Sequence, residues 1–229
     1  MIELNETIDE LNINNLKIIQ GNDDFKYGTD AVMLAEFASV SANARVLDLC
    51  TGSGIIPLLL TAISPAAHIT AVEYFEHIAE RAKRSVKLNS LEDKVEVLCG
   101  DVKNINGLVL RESFEHVTAN PPYKTVNTGA VNKNDYKTAA RHEVLCTLDD
   151  VVKAAEYALK YGGKLTMVHR ADRICDLIST MRKYKIEPKR IATVIHNINL
   201  APKLILIEGK KGAKSGVKFE TSVVPKGVI

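Results

Sequence analysis

Residues 45–63 read RVLDLCTGSGIIPLLLTAI. The run Arg45–Leu49 has the short, apolar, branched character of a buried strand, and Ile55–Ile63 is long enough for two helical turns. Between them Asp48, Cys50, Gly52 and Gly54 form a glycine-rich turn. Glycines there permit a tight reversal and let backbone N–H groups approach a ligand at the helix N-terminus. Strand, turn and helix in that order open a parallel α/β sheet.

The same alternation continues outward. Further strands are expected at His68–Glu73, Val95–Leu98, Glu115–Ala119, Lys164–His169, Arg190–His196 and Leu204–Glu208, and helices at Thr29–Val40, Phe75–Leu88, Leu148–Lys160 and Ala171–Tyr184. Thr29 or Asp30 can cap the first of these helices. Gly162-Gly163 is expected to separate a helix from the fifth strand, and Pro188 to open the sixth. The connection 197–203 is too short for a crossover helix, so the last two strands should be antiparallel. The expected fold class is α/β: a seven-stranded, mostly parallel sheet with one antiparallel edge strand and helices on both faces. One domain should span 1–229, with an N-terminal extension and helix (1–43), the core sheet (44–209) and a basic tail (210–229). The polar stretch 124–136 reads as a mobile functional loop.

Composition narrows the class. The chain has 229 residues, 46% hydrophobic and 25% charged. It needs no disulfide staples, and its four cysteines lack CxxC spacing. No apolar run approaches membrane-spanning length, and the acidic start MIELNETIDELNI is unlike a signal peptide; a cytoplasmic location is expected. The histidines show no metal-ligand spacing, so no metal is expected. Residues 1–30 hold two Lys/Arg against seven Asp/Glu, a balance of −5, whereas residues 183–229 hold ten against three, a balance of +7. A basic end suits a polyanion such as nucleic acid. Oligomeric state leaves no signal.

Two constellations carry chemistry. Glu73 ends the second core strand, where a carboxylate can accept from ribose hydroxyls, and Asp101 follows the third, where it can accept from an adenine amine. Pro57 stands where a dinucleotide fingerprint needs its third glycine. Asp48 instead suits an adenosyl group with a cationic amino-acid tail. The second constellation is Asn120-Pro121-Pro122-Tyr123, directly after the fourth core strand. Two prolines remove two donors, leaving the Asn120 side-chain oxygen and the Pro121 carbonyl as acceptors beside a flat ring. That set fits a planar –NH2 on an sp² carbon, with Tyr123 stacked on it.

These residues in this order resemble the class I, Rossmann-like, S-adenosylmethionine-dependent amino-methyltransferases, and more narrowly the bacterial enzymes that make N6-methyladenine at position 37 of valine tRNA. Three further segments are similar to that family: Phe25–Ala31, Ala140–Glu143 and the stretch from Pro202 through Gly212. The resemblance implies S-adenosylmethionine at Thr29, Asp48, Cys50, Gly52, Gly54, Glu73, Asp101 and Asn120. It implies catalysis at Asn120, Pro121, Pro122 and Tyr123, and a tRNA anticodon loop as partner. Basic residues able to hold phosphates are Lys124, Arg141, Lys203, Lys210, Lys211 and Lys214. Two positions depart from the pattern: Cys50 replaces a glycine, and His116 is polar in a normally apolar strand. A protein glutamine N5-methyltransferase presents the same planar amide and stays an alternative. So do enzymes acting on ribosomal RNA or DNA amines, and a non-catalytic RNA-binding module.

Overall fold

A computed structural model describes residues 2–22, 24, 26–122, 146–195 and 199–221. The first core strand, β3 (Arg45–Leu49), lies inside an eight-stranded sheet; ahead of it stand a hairpin of β1 (Glu6–Glu10) and β2 (Lys17–Gly21) and helix α1 (Thr29–Phe37). After β3 come α2 (Ile55–Ile63), β4 (His68–Glu73), α3 (Glu76–Leu88), β5 (Val95–Cys99) and β6 (Phe114–Ala119). The second half holds α4 (Leu148–Ala158), β7 (Leu159–Arg170), α5 (Ile174–Lys183), β8 (Ile186–Val194), β9 (Leu204–Lys211) and β10 (Lys218–Phe219).

The order across the sheet is β10-β8-β9-β7-β6-β3-β4-β5. All neighbours are parallel except the two pairs made by β9. The expected antiparallel strand is therefore correct in direction but not in place: β9 inserts between β7 and β8 instead of lying at an edge. Insertion satisfies the backbone groups on both its sides. The sheet also passes the expected limit at residue 209, because β9 runs to Lys211 and Lys218–Phe219 pair with β8.

Strand alternation sorts the core into two layers. Val46, Ile69, Ala71, Val95 and Leu206 meet α1, α2 and α3 on one face. Leu47, Leu49, Val72, Val117, Leu165 and Ile207 meet α4 and α5 on the other. Both faces are covered, which is why these strands read as continuous apolar runs.

Local details differ from expectation where backbone chemistry intervenes. Helix α1 begins after Gly28, with no side-chain cap. Gly162-Gly163 lies within β7, with Gly162 at φ 81°, beside the register shift between Phe114 and His116 on β6. Pro188 is the third residue of β8 and sits at a bulge, where a missing donor is tolerated. Part of the N-terminal acidity is paired: Arg81 and Arg84 on α3 grip Glu6 at 2.8 and 2.5 Å, and chiefly Arg84 holds that carboxyl down to about 2. No described helix is long and apolar enough to cross a membrane.

Candidate active site

Strand order reverses beside β3, whose partners β4 and β6 lead the chain in opposite directions across the sheet. A crevice at the carboxyl ends of the strands belongs at such a point. Asp48 lies in register with Thr118 on β6, and the Thr118 hydroxyl donates to Asp48 Oδ1 at 2.6 Å. The second oxygen, Oδ2, is buried and has no hydrogen-bond partner, as is the nearby Thr51 hydroxyl oxygen. Burial pushes the Asp48 carboxyl up to about 7, against the opposing hydrogen bond from Thr118. A fully buried carboxylate with one idle oxygen is costly unless a donor or cation completes it.

The turn after Asp48 is shaped for close approach. Cys50, Gly52 and Gly54 all have left-handed φ, at 58°, 56° and 83°. A Cβ on Gly52 would meet nothing within 4 Å, so that backbone faces open space, whereas one on Gly54 would press Ala82 at 3.3 Å. Cys50 adopts the glycine conformation despite its side chain, at a strain cost of about 1–2 kcal/mol. Its thiol is raised by a hydrogen bond with the Cys146 thiol and by burial, which keeps it protonated. Glu73 fixes the turn from the next strand: Oε2 accepts from Gly52 N at 2.9 Å and Oε1 from Phe75 N at 3.0 Å. Burial raises its carboxyl. Tyr74 N–H bonds the same carboxylate, and of the roughly four acceptor sites on its two oxygens one is left for a ligand. Asp101 accepts from Lys103 N at 2.9 Å, capping the 3-10 turn Val102–Gly107, and pairs with Lys103 Nζ at 3.5 Å.

Asn120, two residues beyond Thr118, shares its face of β6. Its Nδ2 donates to Asp30 Oδ2 at 3.3 Å, from the first turn of α1. Thr29 opens that helix and is half-buried. Pro121 is buried and Pro122 half-buried. Tyr123, Lys124, Arg141 and the loop 124–136 lie outside the described residues. His116 is a buried structural histidine: its Nε2 meets Thr166 Oγ1 at 2.8 Å, and burial lowers it to about 4, so it stays neutral.

The lysines expected to hold phosphates divide. Leu204 pairs with Arg170 at the carboxyl end of β7, and Lys210 with Lys164 at its middle, level with the start of the neighbouring strands. Exposed Lys203 therefore lies on the crevice side, while Lys210 and Lys214 belong to the opposite edge, about 20 Å along the strand at ~3.3 Å per residue. Lys211 is corrected outright. It is 7% exposed, and its Nζ donates to the carbonyls of Glu156 at 2.7 Å and Leu159 at 2.9 Å. It also pairs with Glu112 at 3.1 Å and Glu156 at 3.0 Å. This lysine closes the C-terminal end of α4 and is not a surface cation.

Sequence reading missed three partners of the site: Thr118, Thr51, and Asp30 as a contact of Asn120. Thr118 was legible as the same-face neighbour of Asn120; the Asp30 contact spans 90 residues and needed the fold.

The buried acceptors Asp48 and Glu73, with the open space beside Gly52, fit an adenosyl ligand carrying an ammonium group. A family model described as "Methyltransferase small domain" matches residues 10–184. A tRNA1(Val) (adenine(37)-N6)-methyltransferase from Bacteroides thetaiotaomicron is 32% identical over 184 residues, covering 80% of this chain and 75% of that one. A protein of the same name from Porphyromonas gingivalis is 27% identical over 189 residues, covering 80% and 73%. Among solved structures, one described as a predicted O-methyltransferase, protein Atu636 from Agrobacterium tumefaciens, superposes with a TM-score of 0.67 at 22% identity. It covers 85% of this chain and 86% of that one. That likeness concerns the fold alone.

Proposed function

We propose that this chain, which belongs to the methyltransferase small domain family, transfers a methyl group from S-adenosylmethionine to the exocyclic N6 of adenine in tRNA, at position 37 of the valine-tRNA anticodon loop. The observation that carries the reading is Asn120. Its NH2 is engaged by Asp30, so its oxygen is the side-chain atom left to accept from an amine, at the carboxyl edge beside buried Asp48.

Glu73 holds the ribose, Asp101 the adenine, and Asp48 with the Cys50–Gly54 turn and Thr29 the amino-acid part of the cofactor. When bound, S-adenosylmethionine supplies a methyl on a positively charged sulfur, which leaves as a neutral thioether. An exocyclic amine is a weak nucleophile because its lone pair is delocalised into the ring. Asn120 Oδ1 and the Pro121 carbonyl accept its two N–H protons, Pro122 stiffens the turn, and Tyr123 stacks on the base. Held so, the nitrogen pyramidalises and its lone pair turns toward the methyl carbon. The surplus proton becomes acidic only as the N–C bond forms, so no strong base is required beforehand.

An anticodon-loop base is unpaired already, which spares the cost of extracting it from a helix. Lys203, at the crevice edge, with Lys124 and Arg141 supplies phosphate contacts; Lys210 and Lys214 serve only an RNA long enough to reach the far edge. The test offers full-length protein, labelled cofactor, unmodified tRNA and a glutamine-containing release-factor peptide, followed by mass spectrometry of nucleosides and peptide. N6-methyladenosine at position 37 of valine tRNA is expected. Label confined to the peptide would overturn the RNA reading.

A further inference from the structure

We infer that Asp30 is a positioning residue for methyl transfer, setting which end of the Asn120 carboxamide faces the substrate. The inference rests on the proposed role of Asn120 as acceptor for the target amine. A primary amide presents an oxygen and an NH2 of nearly equal size, so its shape does not decide which one enters the crevice. Its partners do. A carboxylate can only accept, and Asp30 Oδ2 lies 3.3 Å from the Asn120 nitrogen. With the NH2 engaged there, the oxygen is the end left for the amine. The opposite orientation would set oxygen against oxygen at Asp30 and offer a donor to a substrate group that must itself donate.

The surroundings hold Asp30 still. It is 7% exposed, in the first turn of α1. The far end of that helix is pinned to the sheet. Arg190 Nη1 donates to the Phe37 carbonyl at 3.3 Å and its guanidinium lies 4.2 Å from the Phe37 ring centroid. The Ser39 hydroxyl donates to Glu208 Oε2 at 2.6 Å, and Lys164 Nζ donates to Ser39 Oγ at 2.7 Å. Gly28, just before the helix, leaves room for the carboxylate: a Cβ there would come within 2.5 Å of Asp30 Oδ1, although its backbone, at φ −106°, suits any residue.

Four variants and Asn120→Ala as reference test this in the full-length protein, with single-turnover methylation of tRNA, cofactor affinity by calorimetry and thermal unfolding measured on each. Asp30→Asn can donate as well as accept, so the amide at 120 is no longer forced one way. Its rate should fall by ~10-fold or more, while cofactor and tRNA affinities stay within about twofold. Gly28→Ala, which displaces the carboxylate without touching it chemically, should show the same split. Asn120→Asp sets two carboxylates against each other and should be slow. Adding Asp30→Asn to it restores a donor–acceptor pair with the accepting end toward the crevice, so the double variant should outpace Asn120→Asp alone by ~10-fold. Purely structural support by Asp30 would make the two losses add. Wild-type rates in both Asp30→Asn and Gly28→Ala, or a double variant no faster than Asn120→Asp, would overturn the inference. If Asn120→Ala is meanwhile inactive, the functional reading survives that failure. Full activity in Asn120→Ala would overturn both.

Discussion

Replacing Asp48 with asparagine should make the ligand-free protein more stable at neutral pH and worse at binding its cofactor. The Asp48 carboxyl is displaced by burial from its ordinary 3.8 to about 7. Each tenfold displacement of a proton equilibrium is worth about 1.4 kcal/mol, so ionising this group in the folded chain costs about 4 kcal/mol. The sign follows from proton counts. Between pH 4 and 7 the folded chain keeps a proton that the unfolded chain has lost, so this group lowers stability as pH rises through that window. Above the folded value the loss is complete and constant. The asparagine carries no such charge, and its oxygen can still accept from Thr118. At pH 8 the variant should therefore gain about 2–4 kcal/mol, or roughly 5–15 °C in Tm for a chain of this size. Near pH 4 the two proteins should coincide. Cofactor binding supplies the complementary reading. A bound ammonium group favours the charged carboxylate, so binding at pH 6.5 should release a proton from the wild type and none from Asp48→Asn. Calorimetry in buffers of different ionisation enthalpy measures that proton. A variant less stable than wild type at pH 8, or one releasing the same proton, would refute the reasoning.

Other expectations follow from particular contacts. Lys211→Ala removes the cation that satisfies the α4 carbonyls and should cost about 2–4 kcal/mol in urea unfolding, with RNA affinity per folded molecule unchanged. Lys203→Glu should weaken tRNA binding and flatten its salt dependence, while Lys210→Glu, at the far edge, should do so less; filter binding across a salt series compares them. His116 is neutral when folded, with its value lowered from 6.5 to about 4, so its contribution to stability is present above pH 6.5 and lost as pH falls toward 4. His116→Gln, which can still bond Thr166, should make the acid limb of unfolding shallower by about one proton.

Much of this architecture was legible because both faces of the sheet are buried. Strands such as Arg45–Leu49 and His68–Glu73 then read as unbroken apolar runs, and α2 and β3 appear with the bounds the pattern suggests. The place of β9 was not legible: chain connectivity gives its direction but not which strands it will divide. The separation of Lys203 and Lys210 follows from strand length instead: they lie at the two ends of Leu204–Lys211. Lys211 was misread for a different reason. A period of two sends neighbouring side chains to opposite faces, so exposed Lys210 is followed by a buried residue, and only the α4 carbonyls explain why that residue is charged. In the crevice, Asp48, Glu73 and Asn120 stood out by their positions at strand ends. Asp30 did not, because its meaning depends on a helix 90 residues away in sequence from the strand end it meets.

Glu73 ties two loops together before any ligand arrives, one oxygen on Gly52 and the other on Phe75. The carboxylate that would bind a ribose is thus also the clasp that gives the glycine turn its form. A recess assembled in advance forfeits little disorder on occupation, and the benefit is entropic. Any change at position 73 therefore acts twice, once on the contact and once on the readiness of the turn. Measured affinity there reports both together, and the heat and entropy of binding would have to be read separately to divide them.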